Sequence, residues 1–545
     1  MTKSLEPKQL RDGIECRISD QMPVPAYRPV QMVSLGCHGD RAVMPHPDHT
    51  DPESILLGHN RRVCFEPPKK NNPRMKKFEQ IVEKWIKTNL TPLSSDSDIS
   101  METWLGHTHY PEWRKQELRD TWKLFDSIVE KRHFVVNSFT KDETYPEYKN
   151  LRGIQARTDM FKCAVGPYFK LIEKEVFKNP WFIKYVPVPE RPKFIYERRY
   201  GNSDYYATDH TSFEGHFSQE FMESCEFLLY DYMTQHMKGH EEFQWYVHNV
   251  LGSDNHVVSK YFSYHIRATR MTGEMCTSLG NGFSNLMMIL FAASESGSET
   301  LGVVEGDDSL FRLNVGTKLD TQVFTDLGFV IKLEKCEELH TASFCGNVFQ
   351  PGDYFIVTDP VEALISFGWT RAVYAKSKTS KLKRLLRSKA LSLLYEYRGC
   401  PILKHLALYG LRMTENFRSL APKTNEYERE LFQMQLEDIK ENGLPIVEIP
   451  IGTRLLVEQL YGISVEVQFK YEDYLDSLSQ IQPLSLELLD LKLNKHQVHY
   501  SMFYVQKVNM KDNLNYPNIP DSSDVVWNKS YIDKVNKSRT AFHSH

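Results

Sequence analysis

Hydrophobic and polar positions along this chain follow two periods, and the middle of the sequence switches between them repeatedly. Helical spacing marks residues 78–87, 111–134 and 159–178, the last interrupted by Asn179-Pro180. A short strand is predicted at 205–209. It leads into a helix whose apolar positions Phe221, Cys225, Leu228, Leu229 and Tyr232 share one face. Residues 237–268 are polar and aromatic and read as an insertion. A glycine-rich loop and helix follow at 271–294, then an apolar hairpin at 302–313, a helix and strand at 320–333, and a second hairpin at 343–357. After Pro360 the texture is helical, with Leu382, Leu385, Leu386, Ala390, Leu393 and Leu394 at helical spacing. Residues 1 to about 75 carry little periodicity and read as an irregular arm packed on a larger body, and the tail from about Asn515 has few apolar anchors.

Composition narrows this picture without changing it. At 545 residues the chain exceeds what one hydrophobic core supports, so two or three joined units are expected. Hydrophobic residues at 41% and charged residues at 25% exclude a disordered or fibrous chain. The net charge of -4 gives no overall pull toward nucleic acid, so any such site must be local. The nine cysteines are scattered without a CxxC pair, which points away from a zinc ribbon or a secreted disulfide framework and toward a reducing compartment. No signal peptide or membrane-spanning run is evident, so the chain reads as soluble.

Four segments carry candidate chemistry. Residues 303–311, Val-Val-Glu-Gly-Asp-Asp-Ser-Leu-Phe, place Asp307 and Asp308 at a hairpin tip. Adjacent carboxylates there make a hard-oxygen site suited to Mg2+, although a solvated turn is the plain alternative. Upstream, Asp209 closes the strand at 205–209 and Glu214 follows five positions later. A two-metal site needs such a carboxylate from a separate strand, because both ions must contact one reacting phosphate. Between them, Thr277 and Asn281 lie one helical turn apart after Thr272-Gly273, a pair able to read a ribose 2'-OH. Gly273, Gly280 and Gly282 are costly in a helix, and close approach to a ligand or a moving loop would compensate. A bland helix start is the alternative. Finally Lys141, Arg152 and Arg157 surround a turn in which alternation sends Ile154 inward and leaves the cations to line a channel for triphosphate, or merely to be solvated.

Taken in order, these segments resemble motifs F, A, B, C, D and E of viral RNA-dependent RNA polymerases, in particular those of the tombusvirus-like and noda-like positive-strand group. Lys141-x-Glu143 with Arg152-x-Ile154-Gln155-x-Arg157 resembles motif F, and Asp209 with Glu214 resembles motif A. Thr272-Gly273 with Thr277 and Asn281 resembles motif B, Gly306-Asp307-Asp308 motif C, residues 327–335 motif D, and Phe344-Cys345-Gly346 motif E. Glu214 stands where that family more often has Asp, and Thr272 where it has Ser; both keep the functional group and change its reach.

The resemblance implies an α+β right-hand polymerase. Residues 1–200 would form an arm and fingers, 201–358 a palm on an antiparallel sheet with a fingers insertion at about 237–270, and 359–545 a helical thumb and tail. It implies RNA-directed RNA synthesis from NTPs, with Asp209, Asp307 and Asp308 as catalytic metal ligands for two Mg2+ ions, Mn2+ being a possible substitute. Lys141, Arg152, Arg157, Glu214, Thr277 and Asn281 would bind the NTP. Gly273, Phe344 and Cys345 would meet RNA, as would Lys383, Arg384 and Arg387 of the basic run that also holds Lys376, Lys378, Lys381 and Lys389, unless that run is only a solvated helix face. Lys332 and Lys335 compete as general acid to the leaving pyrophosphate. Implied partners are template and product RNA, NTPs and other replicase components. Implied too is a place in the host cytoplasm, at membrane-associated complexes reached through another segment or partner. A reverse transcriptase and a catalytically silent RNA-binding scaffold are the rival readings; the Thr277 and Asn281 pair argues against the first, and the intact carboxylates against the second.

Overall fold

The computed structural model describes residues 10–489 except 12–13, 19–32, 38–51, 125–129, 142, 144–150, 199–202, 211, 375–376, 422–425, 483 and 486–488. Lys376 and the tail from about Asn515 therefore lie outside the described residues. In chain order the strands are β1 (Glu15–Ile18), β2 (Val33–Ser34), β3 (Val136–Thr140), β4 (Gly153–Arg157), β5 (Ser203–His210), β6 (Asp254–Val258), β7 (Phe262–Arg267), β8 (Thr300–Glu305), β9 (Asp308–Asn314), β10 (Ile331–Cys336), β11 (Val348–Phe349), β12 (Ile356–Val357) and β13 (Trp369–Thr370).

A four-stranded antiparallel sheet of order β10-β5-β9-β8 forms the centre. Both of its faces are covered. Tyr206, Val304, Phe311 and Leu313 enter a large core shared with the helices Asp159–Val176, Glu226–Thr234 and Thr277–Glu295. Tyr205, Val303, Leu310 and Cys336 enter a smaller core with Ile195, Phe344 and Phe349 on the opposite face. Burial on both sides explains why β9 is almost continuously buried rather than alternating. The helix Thr277–Glu295 is likewise buried nearly all round, as its apolar sequence requires. Gly280 is needed on that helix because any side chain would collide with the buried ion pair of Glu226 and Arg270.

The expected helix through Cys225 is broken there into Gln219–Glu223 and Glu226–Thr234. The insertion at 237–268 contains β6 and β7, which return to the upstream hairpin and complete a five-stranded sheet of order β1-β7-β6-β3-β4. Strand β3 runs parallel to β6 and antiparallel to β4.

The N-terminal arm is more structured than its sequence pattern suggests. It contributes the helices Pro52–Arg62 and Asn72–Asn89 and pairs β1 with β7. Its β2 pairs with β13, and Leu35 and Cys37 enter the core of the C-terminal helices. That core is built by Leu382, Leu386 and Leu394 of the helix Thr379–Tyr397, with Leu406, Tyr409, Val457 and Tyr471 from the helices behind it. Lys389, half-buried in this region, donates to the carbonyls of Ser366 (2.8 Å) and Trp369 (2.7 Å), capping the end of the helix Pro360–Phe367. Burial lowers its pKa to about 8. Among the described residues no helix is long and apolar enough to cross a membrane.

Candidate active site

The acidic tip forms where β8 turns into β9. Glu305 pairs with Asp308, leaving Gly306 and Asp307 as a two-residue loop, and Gly306 takes φ +60°, a conformation that favours glycine. On the adjacent strand Thr208 lies opposite Ser309, and their hydroxyls are hydrogen-bonded. The next position toward the tip on each strand therefore brings Asp209 beside Asp308. Asp308 is raised above the ordinary carboxylate range by burial, and the negative charges of Asp209 and Glu305 push the same way. Asp307 is pushed up to about 7, first by burial and then by Glu214 and Asp308, with Arg152 opposing. The five carboxylates thus crowd one another at a half-covered tip. Among the described residues no three acidic, His or Cys side chains already form a chelate. The donor set fits a hard divalent cation that completes its shell with water and substrate oxygens, and mutual repulsion is what such a cation relieves.

Glu214 reaches this tip from the single turn Phe213–His216, entered through Ser212 in a left-handed conformation (φ 58°). Its Oε1 accepts from Asn281 Nδ2 at 3.3 Å. Asn281 is only 4% exposed, and its Oδ1 is buried with no hydrogen-bond partner among the described residues. A buried acceptor of this kind costs free energy until something donates to it.

Residues 189–400, which contain all five carboxylates and Asn281, match the sequence model of the viral RNA-dependent RNA polymerase family. Over this stretch the chain resembles viral RNA-dependent RNA polymerases of noda-like type. Relatives include the RNA-directed RNA polymerases of striped jack nervous necrosis virus and greasy grouper nervous necrosis virus, each 23% identical over 206 residues. Those alignments cover 36% of this chain and 21% of each relative, so the chain matches about a fifth of the length of either. A polymerase domain of this family implies a palm-type sheet, and the central antiparallel sheet is of the matching kind.

The polymerase-like residues do not all converge as their order suggests. Lys141 Nζ and Arg152 Nε both face Glu143, at 2.8 and 3.4 Å, and Arg152 is close enough to lower Asp307. Arg157 is a correction. It is 3% exposed and points to the other side of β4, where it pairs with Glu274 at 2.8 Å and donates to Phe134 O and Asn255 Oδ1. β4 is an edge strand, and the 271–275 loop covers the face that Arg157 shares with Gln155. Gly273 is a second correction: its N–H donates to Gln155 O at 2.8 Å, and a Cβ would strike that same carbonyl, so protein backbone and not a ligand requires the glycine. Thr277 Oγ1 donates to Met271 O at 3.1 Å, which commits its hydrogen to the loop and leaves Asn281 as the partner of Glu214.

Phe344, expected to meet RNA, is 3% exposed and belongs to the core beneath the sheet. Its neighbour Cys345, in a left-handed conformation (φ 52°), directs its thiol to the Asp308 carboxylate. In the basic run, Arg387 donates to Leu411 O (3.3 Å) and Thr414 O (3.1 Å), capping the helix Leu403–Arg412, while Arg384 donates to Arg418 O (3.2 Å) and Lys383 lies over the Phe417 ring. The Arg387 head is thus bound to protein carbonyls, whereas Lys383 and Arg384 remain partly accessible. Replacing Arg387 with Ala should therefore destabilise the chain by about 1–3 kcal/mol, the scale of losing charged bonds to carbonyls, with RNA affinity near wild type. Weakened, less salt-dependent RNA binding at an unchanged Tm would restore the basic run as an RNA surface.

Three groups at the site were not singled out by sequence. Arg191 Nη1 lies 3.4 Å from Glu305 Oε2, balancing the acidic residue just before the tip. Asn285 and His210 sit behind the tip. The signal for Asn285 was an amide one turn beyond Asn281 in an apolar helix; Arg191 gives none, since its contact spans more than a hundred residues of sequence.

Proposed function

We propose that this chain is an RNA-directed RNA polymerase that replicates a viral genome by joining NTPs to an RNA 3'-OH. The observation that carries the reading is the meeting of Asp209 with Asp308 on adjacent strands, with Asp307 at the hairpin tip facing Glu214, beside a Glu214 and Asn281 pair that holds an unpartnered buried acceptor. In this reading the central sheet is the palm within residues 201–358, the five-stranded sheet belongs to fingers drawn from 1–200 and 237–270, and 359–545 form the thumb and tail. Asp209, Asp307 and Asp308 would hold two Mg2+ ions, which when bound activate the 3'-OH and carry the triphosphate charge.

The protein's own groups do the rest. Glu143 holds Lys141 and Arg152 together as a cationic pair that the triphosphate engages. Asn281 Oδ1 accepts from the ribose 2'-OH, which a deoxynucleotide lacks. Lys332 lies directly across the sheet from Asp209, whereas Lys335 is bound to Asp204 at 2.8 Å, roughly 10 Å further along the strand at about 3.3 Å per residue. Lys332 is thus the better-positioned proton donor to departing pyrophosphate. Lys332→Met should slow addition by about 10²-fold, the low end of general acid catalysis, and Lys335→Met by less than about 3-fold. Equal losses in pre-steady-state kinetics would remove this distinction.

Template and product RNA, NTPs and other replicase components are the partners of this reading, in the host cytoplasm at membrane-associated complexes reached through another segment or partner. The test is incorporation of labelled NTP by purified protein on primed RNA. The reading expects a product that requires both the RNA and Mg2+ or Mn2+. Metal-replete protein that binds RNA and forms no product would leave the scaffold reading instead.

A further inference from the structure

The geometry points to a positioning role for Asn285 and His210, which we propose set the spacing between the two carboxylate-bearing elements and thereby the affinity of the site for divalent metal. Asn285 is fully buried in the middle of the apolar helix Thr277–Glu295. Its Nδ2 donates to the carbonyls of Gly306 and Asp308, each at 3.2 Å, so one amide grips the backbone on both sides of Asp307. Carbonyls only accept, which fixes the amide orientation. Oδ1 must then face His210 Nε2, 3.3 Å away, and that ring nitrogen must carry the hydrogen. The other ring nitrogen, Nδ1, is buried without a partner among the described residues, as a bare nitrogen of a neutral ring can be. His210 directly follows Asp209 and is wedged against Phe213, with ring centroids 4.4 Å apart.

A single side chain on a rigid helix therefore ties the end of β5, which carries Asp209, to the hairpin tip that carries Asp307 and Asp308. The carboxylates at this tip repel one another, and unrestrained they would separate. The tether opposes that separation and holds them ready for a cation. Both side chains are buried and bound to protein groups, so the role is positioning and not catalysis. It rests on the polymerase reading only for what the metal site is used for.

The test is Mn2+ binding to the full-length protein, followed by the EPR signal of free Mn2+ and so independent of turnover. Asn285→Asp keeps the shape but cannot donate to the two carbonyls. His210→Phe keeps the packing but has no N–H, whereas His210→Gln keeps an N–H near the position of Nε2. Asn285→Asp and His210→Phe should weaken Mn2+ binding about tenfold or more, the usual cost of losing an outer-shell partner, and His210→Gln should stay within about twofold of wild type. Discrimination between NTP and dNTP should be unchanged in all three. Wild-type Mn2+ affinity in Asn285→Asp, or equal affinity in the Phe and Gln variants, overturns the proposal. If Asn285→Asp does not fold, the two His210 variants at matched Tm decide. Failure of the polymerase reading is seen separately, as wild-type protein that binds Mn2+ yet adds no nucleotide.

Discussion

Asp307→Asn lowers RNA-templated nucleotide addition by at least ~10²–10³-fold, the scale of removing one element of transition-state charge stabilisation, while making the metal-free protein more stable at neutral pH. The two effects have one cause. Asp307 is moved from an ordinary value of 3.8 to about 7 by burial and by the facing charges of Glu214 and Asp308. A carboxyl whose pKa is higher in the folded than in the unfolded state keeps its proton longer when folded. Stability is then lost as pH rises from about 4 to about 7, and the penalty is complete above that. Asn carries no charge and removes the penalty. In EDTA the wild-type Tm should fall more steeply than that of the variant between pH 5 and 7.5, and added Mg2+ should raise the wild-type Tm more. Parallel Tm curves, or near-wild-type incorporation by the variant in Mg2+, would refute the assignment. Asp209→Asn should lose activity in the same way.

Asn281→Ala narrows the preference for NTP over dNTP by ~10- to 100-fold, the range expected when a site built around one buried hydrogen bond loses it. The wild-type Oδ1 is buried and without a donor, while Nδ2 is held by Glu214. In the proposed reading an NTP supplies the missing hydrogen through its 2'-OH. A dNTP leaves the acceptor unsatisfied and carries that cost, which Ala abolishes. Incorporation of NTP should fall modestly and that of dNTP should rise relative to it. A variant that slows both sugars equally and keeps the wild-type ratio would show that Asn281 is structural.

What could be read from sequence was local. The two apolar runs flanking an acidic turn at 303–311 gave the hairpin and its tip, and the helix starting at Thr277 was evident from its long apolar run. Asp209 was recognisable because it closes a strand five positions before Glu214, where a two-metal site needs a carboxylate from a strand separate from the hairpin. What could not be read were contacts across the chain. Arg157 looks like a channel cation by type and spacing, yet the loop from 271 folds over its side of β4 and meets it with Glu274. Arg387 and Lys389 of the helix Thr379–Tyr397 look like part of an RNA surface until the neighbouring helix ends are seen to need their donors. Lys332 and Lys335 are equivalent in sequence and separate only once the register of β10 against β5 is known. The arm before residue 75 has little periodicity because its short strands take their partners from β7 and β13, far away in the chain.

In the proposed function the carboxylate tip joins ribonucleotides under the direction of an RNA template. Single-nucleotide addition to a primed RNA tests it most directly, on templates that differ only in the first unpaired base, with each NTP and dNTP offered separately. The base added should follow the template, ribonucleotides should be preferred, and Asp307→Asn should add nothing. Addition that ignores the templating base, or that favours deoxynucleotides, would contradict it.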